Sequence, residues 1–212
     1  MKGDQIEDYL TELLEPKQHW VLELEDYAEE NKVPIMEPLG MDFLMQLLRV
    51  KRPKKILEIG TAIGYSALRM VEAYPETSIV TIERDESRYR EAVKNIEKID
   101  KENKIHVMFG DALEMTSKIK AEGPFDLLFI DAAKGQYQRF FELYSPYLTD
   151  DAIIVSDNVL FRGLVADNTL GNERLEKIAK KLRTYNEWLI NHPTFKTMIV
   201  PVGDGIAITT KR

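Results

Sequence analysis

Leu57-Glu58-Ile59-Gly60-Thr61-Ala62-Ile63-Gly64-Tyr65-Ser66 runs from a short apolar strand, through a turn with two glycines, into the start of a helix. Glycine permits a tight turn and lets a ligand approach the backbone closely. The spacing is Gly-x-x-x-Gly, so the Gly-x-Gly-x-x-Gly fingerprint of dinucleotide binding is absent. Such a loop suits a nucleoside without a pyrophosphate, or is an ordinary strand-to-helix turn. Working outward, apolar runs at 55–59, 79–82, 105–109, 127–130 and 153–155 alternate with amphipathic stretches at 66–73, 86–99 and 136–144. The runs are mainly β-branched or large and apolar, as in strands buried on both faces. This alternation predicts an α/β fold, a parallel sheet with helices on both faces. A long helix is expected over 173–191. Strand-like runs at 197–201 and 205–210 flank Val202-Gly203-Asp204-Gly205 and read as a terminal hairpin. Ahead of the sheet, Ile6, Tyr9, Leu10 and Leu13, then Leu22, Leu24 and Tyr27, then Met41, Leu44, Met45 and Leu48 keep helical spacing. N-terminal helices are expected there, the first two separated at Pro16 and the third over 40–50.

A chain of 212 residues with 44% hydrophobic content can bury one sizeable core. The expectation is one domain over 1–212, with 1–50 a helical segment and 51–212 the α/β core. The absence of cysteine excludes disulfides and thiolate metal sites. No apolar run approaches the roughly 20 residues of a membrane span. The acid-rich start lacks the layout of a signal peptide. A cytoplasmic protein with no membrane partner is expected. The net charge of −7 argues against bulk attraction to nucleic acid. RNA contact would need a local patch. Arg49, Lys51, Arg52, Lys54 and Lys55 offer one, or simply solvate the loop before a buried strand.

In open sheets of this kind, ligands sit beyond the carboxyl ends of the strands. Glu83 stands at such an end and can accept hydrogen bonds from ribose hydroxyls, or be a surface glutamate. Asp111, in Gly110-Asp111-Ala112, can meet an adenine amino group or cap the next helix. Asp131, in Phe129-Ile130-Asp131-Ala132-Ala133-Lys134-Gly135-Gln136-Tyr137, and the pair Asp157-Asn158 supply hard oxygen ligands suited to Mg²⁺, Mn²⁺ or Ca²⁺. Capping of the following helices is the other use for these acids. Carboxylates crowded along one sheet edge repel unless a cation sits among them.

In order and spacing, the glycine loop, Glu83 and Gly110-Asp111-Ala112 resemble the Rossmann-like class I methyltransferases. The resemblance implies a mostly parallel seven-stranded sheet closed by an antiparallel hairpin, with S-adenosyl-L-methionine as cofactor. Asp131 to Tyr137, Asp157-Asn158-Val159-Leu160, the helix over 40–48 and Pro201-Val202-Gly203-Asp204-Gly205 resemble a narrower family. It is that of the cation-dependent O-methyltransferases related to catechol and caffeoyl-CoA methyltransferases. For that family the resemblance implies a divalent ion, Mg²⁺ (or Mn²⁺ or Ca²⁺), on Asp131, Asp157 and Asn158, with Lys134 as the base. It implies cofactor contacts at Met36, Glu58, Gly60, Gly64, Ser66, Glu83, Gly110, Asp111, Ala112 and Asp131. Val33-Pro34-Ile35-Met36-Glu37, Asp157-Asn158-Val159-Leu160-Phe161 and Asn186-x-Trp188-Leu189-x-Asn191-His192-Pro193 are similar to a bacterial branch of the family. That branch methylates 5-hydroxyuridine at the wobble position of tRNA, which implies the tRNA anticodon loop as partner. A small catechol-like phenol is the alternative substrate. Candidate RNA contacts are the 49–55 run, Arg139, Arg162 and Lys211-Arg212, with Phe161 and Tyr137 for stacking on the base. A homodimer would lengthen the basic track.

Overall fold

A computed structural model of the protein describes residues 2–161, 163–166 and 172–212. Three helices come first: α1 (Lys2–Glu12), α2 (His19–Glu30) and α3 (Pro38–Lys51). Strands and helices then alternate: β1 (Lys55–Ile59), α4 (Tyr65–Ala73), β2 (Ser78–Glu83), α5 (Glu86–Ile99), β3 (Ile105–Phe109), α6 (Thr116–Glu122), β4 (Phe125–Ile130), α7 (Tyr137–Tyr144) and β5 (Leu148–Ser156). The chain ends with α8 (Glu173–Ile190), β6 (Phe195–Val200) and β7 (Ile206–Lys211). The strands form one sheet in the order β3-β2-β1-β4-β5-β7-β6. The first five are parallel, and β7 runs antiparallel to both β5 and β6. This is the expected mostly parallel seven-stranded sheet with its terminal hairpin. Helix α6 was not anticipated, because its one buried residue, Ile119, leaves no apolar period to read. Strand β5 starts earlier than expected, since exposed Asp150 and Asp151 interrupt its apolar run.

Side-chain alternation gives the central strands β1, β2 and β4 two buried faces, while the edge strands β3 and β6 leave residues such as Phe109 and Met198 exposed. On one face Ile56, Ile79 and Leu127 pack with Leu44, Leu48, Met70 and Ile96 from α3, α4 and α5. On the other, Leu57, Val80, Leu128 and Ile154 pack with Ile119, Phe141, Leu182 and Leu189 from α6, α7 and α8. Among the described residues no helix is long and apolar enough to cross a membrane.

Strand order reverses at β1, whose neighbours are β2 and β4, so a crevice opens beyond the carboxyl ends of β1 and β4. Gly60 forms its floor, with φ 108°, and a Cβ there would lie 1.9 Å from the Asp131 carbonyl oxygen. The Asp131 N–H donates to the Ile59 carbonyl at 3.0 Å. Only glycine lets β1 and β4 stay this close one residue past their ends.

Candidate active site

A cavity of about 310 Å³ fills that crevice. Gly60, Ala62, Glu83 and Asp111 line one end; Asp131, Lys134 and Asn158 line the other. Ser66, Gly110 and Ala112 complete the wall, and Met36 closes it from the segment before α3. Glu83 is buried and held firmly. Its Oε2 accepts the Ala62 N–H at 2.9 Å, and its Oε1 accepts the N–H groups of Arg84 and Asp85 at 2.9 and 2.8 Å. The Asp111 carboxylate accepts the Leu113 N–H at 2.9 Å. It therefore orders the turn after β3, while Met115 is the residue that starts α6.

Two expected cofactor residues stand behind the wall. Gly64 faces α5, where a Cβ would meet the Ile96 side chain at 3.2 Å. Glu58 is fully buried. The Ser66 hydroxyl donates to its Oε1 at 2.5 Å and the Thr81 hydroxyl to its Oε2 at 2.6 Å. The Thr61 and Thr81 hydroxyl oxygens are 2.6 Å apart, and since the Thr81 proton is committed to Glu58, Thr61 donates to Thr81. Burial pushes the Glu58 carboxyl up to about 7, the two hydroxyl donors opposing and the Asp131 and Glu83 charges adding to the rise. The native state then holds this proton more tightly than the unfolded chain between the ordinary value of 4.5 and about 7. The contribution is fully present below that window and lost as pH rises through it. Stability of the ligand-free protein is expected to fall by about 3 kcal/mol across the window. Denaturant melts at several pH values should show this slope, and Glu58→Gln should remove its share, leaving the part that Asp131 and Asp157 contribute. An unchanged slope in the variant would assign it to other groups.

The acidic end is assembled from distant parts of the chain. Asp131 follows β4 and Asp157 follows β5, its N–H donating to the Ile130 carbonyl at 3.0 Å. Lys134 Nζ donates to Asn158 Oδ1 at 2.5 Å, and Asn158 Nδ2 donates to Asp204 Oδ2 at 3.3 Å. Burial raises both the Asp131 and Asp157 carboxyls above the usual range. Repulsion between the acids adds to this, and Lys134 opposes it. Burial lowers Lys134 from its ordinary value, against the pull of Asp131, Asp157 and Asp204. One ammonium thus faces three carboxylates. The Asp157 Oδ2 is buried without a hydrogen-bond partner among the described residues. An unpartnered buried carboxylate oxygen beside a second carboxylate and an amide oxygen fits a hard divalent ion. Among the described residues no three carboxylate or imidazole side chains converge as a metal-binding group, so such an ion would rest on Asp131, Asp157 and the Asn158 amide.

Sequence reasoning missed several supports of this loop. Tyr137 OH donates to the Asp157 carbonyl at 3.1 Å and Asn186 Nδ2 to the Val159 carbonyl at 2.9 Å. The Val159 N–H donates to the Gly205 carbonyl and the Leu160 N–H to the Asp204 carbonyl, both at 2.9 Å. Gly205 has φ 85°, and a Cβ there would lie 2.3 Å from Leu160 Cγ. The terminal turn is therefore part of the site. The signal for Asp204 was an acid held between two glycines, absorbed by the hairpin reading. Asn158 and Phe161 themselves adopt left-handed backbone, at φ 55° and 49°, conformations that non-glycine residues hold at a cost and that cluster at functional sites.

The expected RNA contacts scatter. The 49–55 run lies at the amino ends of the strands, on the edge opposite the cavity. Lys51 reaches Asp151 at 2.8 Å and Lys55 reaches Glu122 at 3.3 Å. Lys211 lies on the same far edge, paired with Asp150 at 2.7 Å. Tyr137 is a core residue with 1% exposure, so it offers no face for stacking. Phe161 is half-buried and packs against the core. Arg139 is exposed on the first turn of α7 and donates to the Gln136 side chain at 3.1 Å, on the cavity side. Arg162 lies outside the described residues.

A family model described as O-methyltransferase matches residues 13–212. A catechol O-methyltransferase from Niastella koreensis is 29% identical over 97% of this chain and 96% of its own. A candidate caffeoyl-CoA O-methyltransferase from Staphylococcus aureus has a solved structure that is 36% identical, with a TM-score of 0.91 over 98% of this chain and all of the other (100%). The O-methyltransferase from Bacillus cereus, solved in complex with SAH, is 26% identical, with a TM-score of 0.83 over 98% of this chain and 97% of the other.

Proposed function

The chain belongs to the O-methyltransferase family, as an S-adenosylmethionine-dependent enzyme of the catechol and caffeoyl-CoA type, and from that premise we propose that it methylates 5-hydroxyuridine at the tRNA wobble position with the help of a divalent ion. The observation that carries the chemistry is Lys134 Nζ, 2.5 Å from the Asn158 amide oxygen and surrounded by Asp131, Asp157 and Asp204. This arrangement suits an acceptor with an acidic hydroxyl beside a second oxygen, as hydroxyuridine has. Support for the RNA substrate comes from the segments 33–37, 157–161 and 186–193.

When bound, the cofactor supplies a methyl group on a sulfonium, and an ion on Asp131, Asp157 and Asn158 supplies Lewis acidity that lowers the pKa of the acceptor hydroxyl. The chain's own residues bind, orient and move the proton. Glu83 would hold the ribose hydroxyls and Asp111 would meet the adenine, with Ser66 and Met36 lining the wall. Lys134 Nζ takes the proton of the acceptor hydroxyl. Its burial raises the fraction of free amine at neutral pH. Holding donor and acceptor in line contributes on the order of 7–11 kcal/mol.

The test is methyl transfer from labelled S-adenosylmethionine to hydroxyuridine-containing tRNA and, separately, to catechol, each with Mg²⁺ and with chelator. Metal-dependent label in the tRNA is expected, with a KM that climbs steeply with salt as phosphate contacts are screened. Label in catechol alone would place the protein on the small-phenol branch, the activity that the Niastella relative's name carries.

A further inference from the structure

Helix α8 packs beside the cavity rim. Its Lys181 side chain lies against Gly135, with Nζ 3.0 Å from where a Cβ on that glycine would stand. Gly135 sits between Lys134 and Gln136, which both line the cavity. Arg174, Lys177 and Lys181 fall at i, i+3 and i+7 on α8, so they share one face over roughly 10 Å of helix. All three are exposed. Lys177 pairs with Glu173 across 3.6 Å in full solvent, a contact worth little. Neither Arg174 nor Lys181 makes a salt bridge among the described residues. Exposed Arg139, one turn into α7, extends the same rim. In a protein of net charge −7 the other prominent basic run lies at the far edge of the sheet, away from the cavity, where Lys51 and Lys55 pair with Asp151 and Glu122.

We propose that the α8 face bearing Arg174 and Lys181, continued by Arg139, seats the RNA backbone that flanks the base entering the cavity. The inference rests on the reading of RNA as substrate. Among the described residues Arg174, Lys181 and Arg139 have no acidic partner, and a phosphodiester backbone is the complement of a row of exposed cations beside a deep pocket.

The experiment compares wild type, R174A/K181A, the charge-keeping pair R174K/K181R, and R49A/R52A at the far edge. The readouts are tRNA affinity and methylation at several salt concentrations, alongside S-adenosylmethionine affinity and Tm. R174A/K181A is expected to weaken tRNA binding roughly tenfold and to flatten the slope of log K against log salt by about 1.4, two single-strand phosphate contacts. Cofactor affinity and Tm should stay at wild-type values. R174K/K181R and R49A/R52A should bind tRNA as wild type does. If wild type methylates tRNA but R174A/K181A binds it normally, or R49A/R52A is the weakened pair, the α8 surface is overturned and the RNA reading stands. If wild type neither binds nor methylates hydroxyuridine-containing tRNA, both are overturned together.

Discussion

Asp157→Asn is expected to lower methyl transfer by roughly a thousandfold while making the metal-free protein more stable. The loss follows from the donor set. Asp157 contributes one of the two carboxylates of the proposed donor set, and an ion's stabilisation of the reacting charge is worth several kcal/mol, each ~1.4 kcal/mol being tenfold in rate. The gain follows from the metal-free fold. Asp157 Oδ2 is buried without a hydrogen-bond partner among the described residues, and burial together with Asp131 raises its carboxyl well above the usual range. Ionising it in the native state is therefore costly. That cost is absent at acid pH, where native and unfolded chains are both protonated, and grows as pH rises through the native value. A neutral amide of the same shape removes it. In chelator the variant should melt higher than wild type by the equivalent of about 1–2 kcal/mol at mildly alkaline pH, and no higher at acid pH. Added Mg²⁺ should raise the melting point of wild type, by about 2.7 kcal/mol at a hundredfold excess over Kd, and leave the variant unmoved. Wild-type turnover by Asp157→Asn in chelator would remove the metal from the mechanism.

Lys134→Ala is expected to lower kcat by about 10²–10⁴, the usual contribution of a positioned general base. Cofactor affinity should change little, because Lys134 adjoins the acidic end of the cavity and the glycine loop and Glu83 form the other. Divalent-ion affinity should hold or rise, since an ammonium beside Asp131, Asp157 and Asn158 is removed. The active form of the base is the neutral amine. Wild-type kcat should climb with pH and level off below the ordinary lysine value of 10.5, because burial lowers Lys134 more than the surrounding acids raise it. The alanine variant should lose that climbing limb. Lys134→Arg should not restore activity, as a guanidinium stays protonated in proteins. Calorimetry showing lost cofactor binding in Lys134→Ala, or full activity in Lys134→Arg, would contradict a proton-accepting role.

The sequence by itself determined the fold class, and with it the neighbourhood of the site. A strand buried on both faces has to be largely apolar, so β1, β2 and β4 announce themselves locally, and Gly60, Glu83, Asp111, Asp131 and Asp157 stand at or just past strand ends that are visible from composition alone. Tertiary structure decided what those acids touch and which cations can matter. Asn158 meets Asp204 across 46 positions of chain, because the antiparallel β7 returns the terminal turn to the end of β5. Glu58 carries the same chemistry as Glu83 and shares its face of the sheet, yet it stands level with Thr81, two residues short of Glu83, where Ser66 and Thr81 cover it. The 49–55 run reads as basic and α8 only as a long helix, but β1 begins at the edge away from the cavity while α8 crosses beside it. Composition and spacing report which side chains are present. Strand order and direction, set by long-range packing, decide which of them share an edge.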